Sequence, residues 1–185
     1  MRIPSHVDLP EPAWAAEAQG HDVAGRAELS LGKSDAAAAH FDRALKLLGA
    51  HLEPDHLSLT TLRSSLACVL EAQRRYEEAE PLFLRALAAY DRVLGGEHPD
   101  TLMSVNNLAG LYKSQGRYEE AEPLFLRALA VHERVLGAEH PHTLTSVNNL
   151  AIIYKTRGGM KKLSRCICWR WRRASGCWER SIRTR

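Results

Sequence analysis

The chain has 185 residues, 45% hydrophobic and 25% charged, with four cysteines. That length can bury the core of one domain or a little more, the composition is ordinary for a globular protein, and the cysteines are too few and too clustered for a disulfide framework. The net charge of +3 divides unevenly, because residues 159–185 hold nine Lys or Arg against one Glu, which leaves the rest of the chain acidic.

The opening residues, MRIPSHVDLPEP, contain no apolar stretch that could serve as a signal peptide. No run approaches the roughly 20 apolar residues that a membrane span needs. A cytoplasmic location and no membrane partner are therefore expected. Residues 1–13 read as a flexible N-terminus, and 14–55 as a degenerate first repeat. Within the latter, Ala37, Phe41, Ala44 and Leu45 carry the remnant of a pattern that is clear further on.

That pattern has a period of 42. Tyr76 to His98 reads YEEAEPLFLRALAAYDRVLGGEH and Tyr118 to His140 reads YEEAEPLFLRALAVHERVLGAEH, identical at 19 of 23 positions. The other half recurs as well, HPDTLMSVNNLAGLY from His98 returning as HPHTLTSVNNLAIIY from His140. Self-similarity at such a period marks a stacked array, since one hairpin alone cannot bury its apolar stripe. The expected boundaries are 56–97 for a second repeat, 98–139 for a third, and 140–158 for the first helix of a truncated fourth.

Each unit reads as two helices. Leu102, Val105, Leu108, Ala109 and Tyr112 fall at three- and four-residue spacing and gather on one face. Ala121, Leu124, Phe125, Ala128, Leu129 and His132 do the same for the second helix. Pro99 and Asp100 suit a helix entry, and Gly116 and Gly137 suit helix ends. Pro123 deletes one backbone bond, so it is expected within the first two turns. Alanines at positions 67, 79, 86, 109, 121 and 128 let helices approach closely, with Phe83 and Phe125 filling the hollow beside them.

The run Leu-Ala-x-x-Tyr, then Gly, then Tyr-x-x-Ala, Phe and Ala-Leu resembles the tetratricopeptide repeat. The 42-residue spacing with NNLAxLY, YEEAEPLFxRAL and LGxEHP is similar to the kinesin light chain type. The resemblance covers roughly residues 34–158. It implies an all-α fold of helical hairpins stacked in a right-handed superhelix, an α-solenoid, whose concave groove binds a peptide or partner protein. It implies no catalysis, no cofactor and no small-molecule substrate. In that family an Asn late in the first helix bonds the peptide backbone. The match falls on Asn107 and Asn149, with neighbours Asn106 and Asn148, and Ser65 stands in the earlier unit. A side-chain amide can serve both a peptide N–H and a C=O; the bland alternative is that these amides cap turns or face water. Lys113 and Lys155 could add positive charge to the same surface, or be plainly solvated.

Enzyme readings find little support. His98 and His140 recur with the repeat, as do Glu77-Glu78 and Glu119-Glu120, so periodicity accounts for them. The body holds no phosphate-binding loop, nucleophile elbow or metal-ligand cluster.

The tail brings Cys166, Cys168 and Cys177 among Trp169, Trp171, Trp178 and seven arginines. A thiolate metal site would want a fourth ligand, and the tail has no His. The Cys-x-x-Cys redox spacing is absent. Trp interleaved with Arg could stack on single-stranded nucleic acid. The genetic code offers a different reading. Taking the last base of each codon with the first two of the next, the tail permits YEEAEPL from residue 160 onward and ERVLGAEHPHT near its end. Tryptophan followed by glutamate forces GGA, the glycine that the repeat requires there. A one-base deletion near Gly158-Gly159 is the economical cause, and the nucleotides around codon 159 would decide it. On that reading Leu150, Ile153 and Tyr154 lose their hairpin partner and stand partly uncovered, and residues 159–185 are disordered, with protease sensitivity beyond about Arg157. The leading function is then a non-enzymatic interaction scaffold with a protein or peptide ligand and no nucleic acid. The alternatives are a fragment of a larger multidomain signalling protein, or nucleic-acid binding through the tail.

Overall fold

The computed structural model describes residues 12–158. Among them are seven α-helices and no strand: α1 (Ala13–Ser30), α2 (Ser34–Gly49), α3 (Leu57–Ala72), α4 (Tyr76–Leu94), α5 (Pro99–Ser114), α6 (Tyr118–Leu136) and α7 (Pro141–Thr156). The described residues form two compact units, divided within α4 between Ala89 and Tyr90. In the first, α1 packs on α2 and α2 on α3; in the second, α5 packs on α6 and α6 on α7.

The core repeats with the sequence. Ala37-Phe41-Ala44 on α2, Ala79-Phe83-Ala86 on α4 and Ala121-Phe125-Ala128 on α6 are all buried. Spacing of four and three puts each trio on one stripe, where alanine lets a neighbouring helix approach and the phenylalanine ring fills the space beside it. Gly25 on α1 extends the rule to the first hairpin: a Cβ there would lie 2.8 Å from the Phe41 ring.

Turns are set by single residues. Gly116 closes α5 at φ 78°, with Arg117 N–H donating to the Tyr112 carbonyl at 2.8 Å, a left-handed helix end that glycine adopts without steric cost. Pro123 sits at the sixth residue of α6, within its first two turns. Thr101 and Thr143, both buried, donate to the Gly95 and Gly137 carbonyls at 2.8 and 2.7 Å, so each tie pins the turn before a first-type helix.

One expectation fails at α7. Leu150, Ile153 and Tyr154 are not partly uncovered; they are 1%, 0% and 7% exposed. They lie on the buried side of a helix that packs on α6, and Tyr154 donates its hydroxyl hydrogen to Glu122 of α6 at 3.0 Å. Arg157 reinforces the contact by donating to Glu119 and Glu122. The large apolar side chain that α7 leaves outside is Ile152. The expected frame change, disorder and protease sensitivity of the tail, with its cysteines and tryptophans, lie outside the described residues.

Candidate functional site

The outward strip of α5 runs Met103, Asn106, Asn107, Gly110 and Lys113, and that of α7 runs Thr145, Asn148, Asn149, Ile152 and Lys155. Each residue of the second set stands 42 positions after one of the first, and three- and four-residue steps keep each set on one face of its helix. None of the ten is fully buried; Met103 is 56% and Ile152 50% exposed. The inward faces of the same helices hold Leu108, Ala109 and Tyr112, and Leu150, Ile153 and Tyr154.

A side-chain contact joins the strips. Lys113 Nζ donates to Asn149 Oδ1 at 3.1 Å, and the ammonium also lies 5.9 Å from the centroid of the Phe125 ring. Asn106 Oδ1 is buried and accepts no hydrogen bond within the protein. Lys155 and Asn148 are exposed. The surface therefore presents amides and two ammonium groups around apolar Met103 and Ile152. Such a mixture can hydrogen-bond a peptide backbone and cover an apolar side chain, and it includes no paired nucleophile and base.

At its N-terminal end the strip opens into a cleft of about 330 Å³, bounded by Glu97, Met103, Asn106, His132, Val135 and His142. His132 is buried, its Nδ1 3.2 Å from Ser146 Oγ. Burial is the main reason its pKa falls below the ordinary histidine value, and the nearby His142 and His140 add to the effect. Neither this cleft nor the Lys113–Asn149 bond was foreseen from the sequence.

Ser65 belongs to the first unit. It is half-buried on α3 beside Ser64, whose hydroxyl is buried without a partner. Cys68 on the same helix reaches solvent as a residue, yet local desolvation, with Glu71 adding to it, pushes its thiol up to about 11. It stays protonated at neutral pH and carries no thiolate chemistry. The first unit also has a cleft of about 490 Å³ edged by Trp14, Asp22, Arg26 and Leu52. The stacking of Trp14 on His51, centroids 4.5 Å apart, gives that end of α1 its footing. A tryptophan at the head of an otherwise degenerate repeat was the sequence signal for it.

Among the described residues no group of His, Cys, Asp or Glu could hold a metal ion, and no helix is long and apolar enough to cross a membrane.

Comparison with known proteins bears on the whole arrangement. One tetratricopeptide repeat model matches residues 14–92 and 57–116, and a second matches 101–142. The match thus begins some way before residue 34, where the sequence resemblance was placed. No curated protein sequence matches. Among solved structures, BtubC of P. vanneervenii superposes with a TM-score of 0.81 at 23% identity, over 91% of this chain and 67% of that one. A putative kinesin light chain of Podospora anserina with nearly identical TPR-like repeats gives 0.75 at 24%, over 85% and 75%. Aspartyl phosphate phosphatase F of Bacillus subtilis gives 0.71 at 18%, over 89% of this chain and only 42% of its own. At these identities the likeness is one of fold.

Proposed function

Because the chain belongs to the tetratricopeptide repeat family, we propose that it is a non-enzymatic protein-interaction module that holds an extended or helical segment of another protein across α5 and α7. The observation that carries this reading is the pair of equivalent strips, Asn107 with Lys113 and Asn149 with Lys155, brought side by side and joined by the Lys113–Asn149 bond. An incoming peptide can replace that bond with one of its own. The Asn149 carbonyl oxygen would accept a peptide N–H, the amide nitrogens would donate to peptide carbonyls, and the freed ammonium of Lys113 would meet a peptide oxygen. Met103 and Ile152 supply apolar area at each end of the contact.

A random-peptide display library provides the ligand for a test. Peptides selected on the wild-type chain are re-measured on an Asn107→Ala/Asn149→Ala variant. Each net hydrogen bond is worth about 1 kcal/mol, so a loss of affinity of about tenfold or more is expected. Unchanged affinity would place binding elsewhere on the molecule.

A further inference from the structure

The junction between α6 and α7 differs from the preceding junction at several positions, two of which bring in histidines. Where the earlier repeat has Tyr90 and Asp100, this one has His132 and His142. Together with His140, which ends the intervening turn, they form a ring cluster. The centroids of His132 and His142 are 5.8 Å apart with the rings stacked, and those of His140 and His142 are 5.2 Å apart.

Two of the rings are held by hydrogen bonds at the start of α7. His140 Nδ1 accepts the backbone N–H of His142 at 3.2 Å and so caps α7; an imidazole protonated on that nitrogen can no longer accept. His132 Nδ1 lies 3.2 Å from Ser146 Oγ of α7. The Ser146 hydroxyl donates to the His142 carbonyl, which leaves its lone pairs toward Nδ1. The next proton on His132 then goes to Nε2, inside a buried site. All three rings also cluster at the positive end of the α7 dipole, where added positive charge is unfavourable.

Two carboxylates of the neighbouring elements face this cluster. Glu97, in the turn before α5, pairs with Arg134 of α6, and the Asp100 carboxylate on α5 lies 3.7 Å from His98. Both line the same cleft as His132 and His142.

We propose that the α6–α7 junction is an acid-sensitive latch, in which protonation of the stacked His132–His142 pair, beside His140, releases α7 from α6. The sign follows from His132, whose pKa is lowered in the folded chain from the ordinary 6.5. Its contribution is in place above that pH and is lost as the pH falls below it. The latch does not depend on the binding role; only its consequence does, because α7 carries Asn149 and Lys155 of the strip.

The repeat supplies its own control. A His132→Tyr/His142→Asp variant of the full chain restores these two residues of the preceding junction, where the same backbone tolerates them. Hydrogen exchange across residues 143–156 is followed at about pH 7.5 and about pH 5.5 after correction for intrinsic exchange rates, with α5 as internal reference. Wild-type α7 should lose protection by about tenfold or more on acidification. The variant should change by less than about twofold. His132→Tyr alone, read in the same way, serves if the double variant does not fold. An acid-insensitive wild-type α7, or a variant that loses protection equally, would overturn the proposal.

Discussion

Arg74 holds the left-handed backbone conformation, φ 62°, that Gly32, Gly116 and Gly158 hold at the equivalent ends of their helices, 42 residues apart. A side chain costs about 1 kcal/mol in that region, which glycine avoids. Arg75 N–H still donates to the Leu70 carbonyl at 2.9 Å, so the turn is made despite the cost. Arg74→Gly is therefore expected to stabilise the chain by about 1 kcal/mol, less what glycine loses through unfolded-state entropy. Urea unfolding of the two proteins measures this; a variant of lower stability would show that the arginine side chain contributes more than its backbone costs. The strain was hidden in the sequence because arginine is no turn signal, and only alignment of the four positions exposes it.

At the scale of the element, three first-type helices begin in one way. His56, His98 and His140 each precede their helix in an extended conformation, and each Nδ1 accepts the backbone N–H two residues on at 3.2 Å. These histidines recur because they cap α3, α5 and α7, a role usually given to Ser, Thr, Asp or Asn. Losing the cap of α5 through His98→Ala should cost about 1 kcal/mol, while His98→Asn should recover most of it. Thermal unfolding at neutral pH compares the three; equal loss in both variants would mean that the ring matters for packing rather than for its acceptor nitrogen. Periodicity made the histidines conspicuous and left their job unread, since a cap is recognised only when backbone and ring geometry are both known. The Lys113–Asn149 bond was opaque for a related reason: its partners are 36 residues apart and meet only through the packing of two helices. Likewise nothing in HPHT told that its two imidazoles would gather with His132 across a turn.

Over the whole molecule, the period of 42 was enough for the all-α class, the hairpins and the buried Ala-Phe-Ala trios, because each is a local pattern repeated. Failure came where burial depends on a neighbour. Leu150, Ile153 and Tyr154 were expected to stand open for want of a following helix, whereas all three are buried on a helix that packs on the one before, with Tyr154 and Arg157 bonded to Glu122. What does stay outside on α5 and α7 is the amide, lysine, methionine and isoleucine strip, and the binding role rests on it. The most direct measurement is a hydrogen-exchange footprint of the full chain saturated with a display-selected peptide. Slowed exchange confined to 103–114 and 145–156 is the expected result. Protection centred instead on the outer face of α6 around the exposed Leu126, with α5 and α7 unchanged, would contradict it.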